Sequence, residues 1–284
     1  MNPQLGAVLA AADDTIAGGQ VRPAGGTLRV GVDLGTAYTV LVVVDDDGMP
    51  VAGGFTPASV VRDGVVVDFV GACRVVDDLK GLVEQRLGQT LRTAAACYPP
   101  GVGEGEVQAV RYVVEASGLT CTTLVDEPTA ANAVLGVEDG AVVDVGGGTT
   151  GTAVISGGQV AETLDEPTGG THLTLVIAGA LGLSFEEAEQ RKLDPGEQPR
   201  LLGVVRPVFE KIGTIVGAHI AGHAVTEVHL VGGTCAFPGV AEVVSAACGV
   251  PAAVPGNPLF VTPLGVARFD TADVTSLSTA RVSP

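Results

Sequence analysis

The sequence predicts an α/β protein of two similar halves facing each other across a cleft. Two observations predict it. A strand–turn–strand pattern occurs twice, in "RVGVDLGTAYTVLVVVDDDG" (29–48) and in "AVVDVGGGTTGTAVISGG" (141–158): a hydrophobic run ending in Asp-x-Gly, a turn of small and hydroxyl residues, and a β-branched return. After each copy, segments of helical period alternate with short apolar runs, as expected for helices packed on sheets. A length of 284 residues with 46% hydrophobic residues suffices for one large domain or two of medium size with a sizeable core.

Residues 1–26 stand apart. Leu5, Val8, Leu9, Ala12 and Ile16 recur at helical spacing before "AGGQVRPAGG" breaks the period, predicting a short amphipathic helix and a flexible linker. Such a stripe lies on its own domain or docks on a partner, and the sequence leaves both open. "TLRVGVDLG" and "YTVLVVVDDDG" follow as strands, with a third around Val51–Phe55 and a further segment from "DGVVVDF". "ACRVVDDLKGLVEQRLG" and "GEVQAVRYVVEASGL" read as helices, the latter capped by Gly118, and "TAAACYPP" as a buried strand ended by prolines. "TTLVDEPTAANAVLG" is a short strand running into a helix. In the second half, 171–192 and 200–222 read as helices and "EVHLVGGTCAFPGVAEVVSAA" as strand, glycine turn and helix. "PLFVTPLGVARF" ends in a helix start, and the last dozen residues read as a polar tail.

A formal net charge of −17 argues against polyanionic nucleic acid or an anionic membrane as partner, but not against a single nucleotide held by local positive potential. The cysteines 73, 97, 121, 235 and 248 are odd in number, widely spaced and form no C-x-x-C pair, which suggests a reduced, cytoplasmic setting. No basic residue precedes Arg22, unlike a secretory leader, and no apolar run approaches a bilayer span.

The chemistry concentrates at the two hairpin tips. Glycine lets backbone N–H groups approach phosphate oxygens, and threonine adds hydroxyl donors. An aspartate beside a triphosphate is tolerable only with a cation between them. Asp33 and Asp144 therefore imply Mg²⁺ held through its waters. Either tip alone is an ordinary turn; the pair, one opening each half, points to a clamp on β,γ-phosphates. Glu127 in "DEPTAA" (126–131) lies at a strand-to-helix junction, either as a carboxylate favoured by the helix dipole or as one that orients an attacking water. Glu189 and Lys192 share a helix face, as a surface ion pair or as a hold on ribose hydroxyls. Gly232, Gly233 and Thr234 offer bare backbone to a flat ligand such as adenosine. His219 and His223 have zinc-like spacing but lack the glutamate of H-E-x-x-H and a third ligand, and read as a solvated face.

The order Asp-Leu-Gly-Thr, Glu-Pro-Thr-Ala-Ala, Asp-Val-Gly-Gly-Gly-Thr-Thr, Val-Gly-Gly-Thr, Pro-Leu-Gly-Val-Ala resembles the actin/Hsp70/sugar-kinase ATPase superfamily, most closely its Hsp70-like branch, over about residues 27–268. "VVRDGVVVDFVGA", "AACYPPG", "TGGTH" and "EEAEQRK" narrow the resemblance to a chaperone-like family of ethanolamine-utilisation microcompartment operons. The resemblance implies an actin-like ATPase fold of two ribonuclease-H-like lobes around a nucleotide cleft. Residues 1–26 would be the N-terminal helix and linker, 27–138 lobe I, 139–262 lobe II, and 263–284 a helix returning to lobe I with the polar tail. ATP and Mg²⁺ are the implied cofactors. Asp33, Gly35, Thr36 and Tyr38 match the first phosphate motif, and Asp144 with Gly146, Gly147, Gly148, Thr149 and Thr150 the second. Glu127 matches the residue that aids water attack, Glu189 and Lys192 the ribose helix, and Gly232 to Thr234 the adenosine motif.

Two departures stand out. Ala37 occupies a place where chaperones often carry a hydroxyl, and no stretch matches a peptide-binding domain. The resemblance implies a weak ATPase that assists assembly or reactivation, with client or shell proteins of the microcompartment as partners and a cytoplasmic or microcompartment-associated location. A filament-forming actin relative is the alternative. A small-molecule kinase lacks its expected acceptor base, and a hydrolysis-dead binder conflicts with the presence of Asp33, Glu127 and Asp144.

Overall fold

β-Branched runs bounded by Asp and Gly set the sheets. The computed structural model describes residues 3–271. The chain opens with α1 (Pro3–Ala12) and a π-helical turn over Asp13–Ala17. β1 (Arg29–Leu34) and β2 (Tyr38–Val44) form the first expected hairpin, and β3 (Pro50–Pro57) extends it. β4 (Val61–Arg62) and β5 (Val65–Val66) pair as a small ribbon turned by Asp63 and Gly64, both at positive φ. α2 (Phe69–Leu87), β6 (Thr93–Tyr98), α3 (Glu104–Ala116), β7 (Thr120–Asp126) and α4 (Glu127–Leu135) follow. The sheet order is β3-β2-β1-β6-β7, antiparallel through the hairpin and parallel beyond β1.

The second half repeats this plan. β8 (Gly140–Val145) and β9 (Thr150–Ser156) are the second hairpin, and β10 (Gln159–Glu166) extends it. Then come α5 (Gly170–Leu181), α6 (Phe185–Leu193), α7 (Gln198–His219), β11 (Val228–Val231), α8 (Val240–Cys248), β12 (Ala252–Ala253) and α9 (Val261–Arg268). The order β10-β9-β8-β11-β12 mirrors the first sheet strand for strand, with the same switch from antiparallel to parallel at the hairpin's first strand. The duplication is therefore one of topology as well as of motif.

The continuous helix expected over 171–192 is two helices. Gly182 ends α5 in the left-handed conformation (φ 66°), and Ser184 starts α6 with a capping box closed by Glu187. β10 was not expected as a strand, because "QVAETLDE" is mostly exposed and lacks a clean alternation. The expected polar tail, the last dozen residues, lies outside the described residues.

Each sheet packs a core of its own against its outer helices. Between the sheets, Val40, Val42, Val142, Ala153 and Ile155 converge on α4 and α9, with Phe260 and Leu264 fully enclosed. α1 joins this cluster: Val8, Leu9, Ala12 and Ile16 are buried in it beside Val40, Val42 and Val44. The expected stripe is real, and it faces its own fold. Ile16 lies against bare Gly53 of β3, and the Arg22 amide donates to the Val51 carbonyl at 2.9 Å. The expected flexible tether is thus partly laid along β3.

α9 and α4 cross so closely that Gly265 touches the Ala130 backbone, and Gly31 of β1 is likewise pressed on Ala267 and Pro263. Asp270, next after Phe269, accepts hydrogen bonds from the Val30 amide and from the hydroxyls of Thr93 and Thr122, joining β1, β6 and β7. Among the described residues, no helix is long and apolar enough to cross a membrane.

Candidate functional site

The two hairpin tips close in the same way. The Gly35 amide donates to the Tyr38 carbonyl at 3.0 Å, and the Gly146 amide to the Thr149 carbonyl at 3.0 Å. They also meet. A methyl group on Gly147 would lie 3.1 Å from the Ala37 side chain, and one on Gly148 2.8 Å from the Thr36 hydroxyl. Glycine is required here by the opposite tip. Behind the second tip, the start of α5 holds it in place: Gly170 and Thr171 amides donate to the carbonyls of Gly146 and Gly147 at 2.9 and 2.8 Å, and Gly169 is packed against all three glycines. The Thr234 hydroxyl adds a bond to the Gly146 carbonyl at 2.8 Å. The tips are a fixed cradle of amides in a cleft of about 280 Å³, close to the lower size for a small-molecule site.

Carboxylates line its floor. Asp33 ends β1, Asp144 ends β8, and Glu127 is the first residue of α4, whose N-cap Asp126 accepts from the Thr129 amide at 3.0 Å. Asp144 is 6% exposed and accepts from the Thr262 hydroxyl. Burial and the neighbouring Asp144 push Asp33 up to about 7; burial pushes Asp144 up to about 6 despite the Thr262 bond. Glu127 is raised well above the ordinary carboxylate range, first by burial and then by Asp144, Asp33 and Asp165. These acids press on one another because no cationic side chain stands among them: of the described residues lining the cleft, Lys192 alone is basic, and it belongs to the α5–α6 wall.

That donor set fits a hydrated divalent cation. Mg²⁺ prefers oxygen ligands and retains waters, and a polyphosphate would not settle over three carboxylates without one. Cys97, at the end of β6, lies with Asp33 and Glu127 in a group whose ligand atoms are within 4.8 Å of one another. Burial and the surrounding carboxylates drive its thiol pKa up.

On the α5–α6 side, Lys192 bonds to Glu189 at 2.7 Å, to the Gly170 carbonyl at 3.2 Å and to the Thr174 hydroxyl at 3.0 Å. Thr174 also donates to Glu189. Leu173, Leu193, Phe237 and Leu259 supply apolar wall, and the Tyr38 ring packs on Phe55 at 5.6 Å between centroids. Gly232 holds φ 89° against Asp144, where any side chain would collide with that carboxylate.

The structure thus brings to one cleft Asp33, Gly35, Thr36, Tyr38, Glu127, Asp144, Gly146, Gly147, Gly148, Thr149, Glu189, Lys192, Gly232, Gly233 and Thr234. Thr150 is not among them. Its side chain is fully buried and donates to the Thr168 carbonyl at 2.6 Å, so it braces the tip from behind. His219 and His223 turn to separate partners, Thr152 and Glu162, each at 2.9 Å. Sequence reasoning missed Gly169, Gly170 and Thr262, which hold the motif residues, and Asp165, which stands beside Thr149. The signal for Asp165 was "LDEPTGG" (164–170), an echo of "VDEPTAA" (125–131).

Paired sheets of one topology, closing on two glycine hairpins with buried carboxylates at their roots, define an actin-like ATPase fold, and known proteins agree. Residues 141–276 match the family model of cell division protein FtsA and residues 55–181 that of MreB/Mbl protein. The structure of MreB 5 of Spiroplasma citri bound to AMPPNP shares the fold, with a TM-score of 0.67 at 16% identity over 86% of this chain and 96% of that one. Within that class, the chain belongs to the ethanolamine utilization protein EutJ family. It is 43% identical to EutJ of Escherichia coli K12 over 241 residues, 84% of this chain and 85% of the relative. The crystal structure of EutJ from Carboxydothermus hydrogenoformans matches with a TM-score of 0.89 and 49% identity, over 94% of this chain and 98% of that one.

Proposed function

We propose that the chain binds Mg·ATP in this cleft, hydrolyses it slowly, and uses that cycle to assist assembly or reactivation of ethanolamine-utilisation microcompartment proteins. The observation that carries the reading is the mutual contact of the two glycine hairpins above half-buried Asp33 and buried Asp144. The amides of Thr36 and Ala37 and of Gly147 and Gly148, left free by the bonds that close the tips, cradle the β- and γ-phosphates, with the Thr36 and Thr149 hydroxyls as added donors. Asp33 and Asp144 would hold the cation, which would supply the charge that screens phosphate from carboxylate. Glu127 orients the attacking water and receives its proton. Glu189 and Lys192, fixed by Thr174, take the ribose hydroxyls, and Gly232 to Thr234 lie under the base. In this reading residues 27–138 and 139–262 act as two lobes, with α9 packing back on β1. The ethanolamine-utilisation setting follows the name of the EutJ relatives, and the microcompartment role follows the resemblance read in the sequence.

The test is calorimetry of ATP binding with and without Mg²⁺. Wild type binds far more tightly with the metal, and Asp144→Ala loses that difference. Metal-independent, unchanged affinity in the variant would sink the assignment.

A further inference from the structure

Asp144, Gly151 and Asp165 form one row across the second sheet. Gly151 of β9 is registered opposite Asp144 of β8 on one side and opposite Asp165 of β10 on the other. Directly opposed residues in a sheet send their side chains to the same face. Asp165 therefore rises on the face that carries Asp144 and the cleft, with a bare glycine between the two acids. A methyl group on Gly151 would stand 3.4 Å from Asp165 Oδ1, 3.2 Å from Pro100 Cδ and 3.5 Å from Pro128 Cδ, the latter next to Glu127. The row is thus a trough floored by Gly151, walled by two prolines and ended by two carboxylates. Asp165 Oδ1 is fully enclosed yet has no hydrogen-bond partner among the described residues. A buried carboxylate oxygen without a donor is costly, and the cost is removed by a water or a hydrated ion in the trough.

We propose that Asp165 is a positioning residue for the cation of the cleft, accepting from one of its bound waters across Gly151 opposite Asp144. The inference rests on the Mg·ATP reading above and extends it to a third acid outside both hairpin motifs. Gly151 is as necessary as the acid: a side chain there would fill the space that the water takes. Its backbone is ordinary, so glycine serves here to leave room.

Binding of Mn²⁺ to the full chain with ADP, followed by electron paramagnetic resonance, tests this without reference to turnover. Removing an outer-shell partner typically weakens metal binding by about 10- to 100-fold. Asp165→Asn, which keeps the shape, should raise the Mn²⁺ dissociation constant by about ten-fold while leaving metal-free ADP affinity unchanged. Gly151→Ala, which keeps every carboxylate, should show the same split. A purely structural Asp165 would alter melting temperature and leave Mn²⁺ affinity within two-fold of wild type, and that result overturns the proposal. Failure of the wild type itself to hold Mn²⁺ with ADP would overturn the Mg·ATP reading and this inference with it; a normal wild type beside an unaffected Asp165→Asn would overturn this inference alone.

Discussion

Gly265 is where α9 crosses α4, and a methyl group there has no space. It would fall 1.8 Å from the Ala130 carbonyl oxygen and 2.4 Å from its carbon. Both are backbone atoms, so no side-chain rotation relieves the clash, and Gly265→Ala must drive two buried helices more than an ångström apart. Overpacking costs about 1–3 kcal/mol, and a backbone-on-backbone collision belongs at the upper end. At about 2–4 °C per kcal/mol for a chain of this size, the melting temperature should fall by about 6–12 °C. α4 begins at Glu127, so the same displacement moves that carboxylate relative to the hairpins. A misplacement of this size costs about 100-fold in turnover where a group must meet its target within hydrogen-bond reach. Scanning calorimetry reads the first effect and single-turnover ATP hydrolysis the second. A variant with wild-type melting and turnover would refute the idea that the α4–α9 contact fixes Glu127.

Three further predictions use other parts of the structure. Glu127→Gln keeps the shape but removes the base, so single-turnover hydrolysis should slow by about 100-fold or more with ATP affinity nearly unchanged; equal loss of both, or of neither, rejects the role. Leu9→Ala opens a cavity beneath α1 and should cost about 2–5 kcal/mol by urea denaturation; an unchanged midpoint would show that the N-terminal helix contributes nothing to the core. Asp33 and Asp144 have folded-state pKa values raised from 3.8 to about 7 and about 6, so the folded state binds the extra protons. Stability from these groups is therefore full below about pH 4 and lost as pH rises to about 7. Relative to Asp144→Asn, metal-free wild type should lose melting temperature over that window, and Mg·ADP should restore more at pH 8 than at pH 5; a pH-independent difference between the two proteins counts against the buried pair.

The hairpins were legible because a strand that must end in a bare, donor-rich turn leaves a short local signature: β-branched residues, then Asp-x-Gly. Their facing arrangement followed from duplication. Thr150 was misplaced because it shares the "GGGTT" motif with Thr149, while strand geometry turns adjacent side chains to opposite faces. The break between α5 and α6 was written in Gly182 and the Ser184–Glu187 box, but apolar periodicity on both sides masked it. Asp165 was missed for a different reason. It is one acid in an acid-rich strand, and the register of β10 on β9 turns it to the face that carries Asp144. The seat of α1 was equally undecidable, since an apolar stripe says that something covers it and not what.

The N-terminal packing bears on how copies of this chain can associate. β3 is an outer strand of its sheet, a position that ordinarily presents unpaired amides and carbonyls as a template for a neighbour. Here the chain's own first turns lie over it: Ile16 covers Gly53, and the Arg22 amide takes the Val51 carbonyl. The opposite sheet ends in β10, whose edge carries exposed Glu162 and Glu166 and a register shift between Val160 and Glu162. One border is occupied from within and the other is bent and negatively charged. Copies of this chain are therefore kept from pairing through β3 or β10, because neither of these outer strands offers a straight, neutral run of backbone to the next subunit.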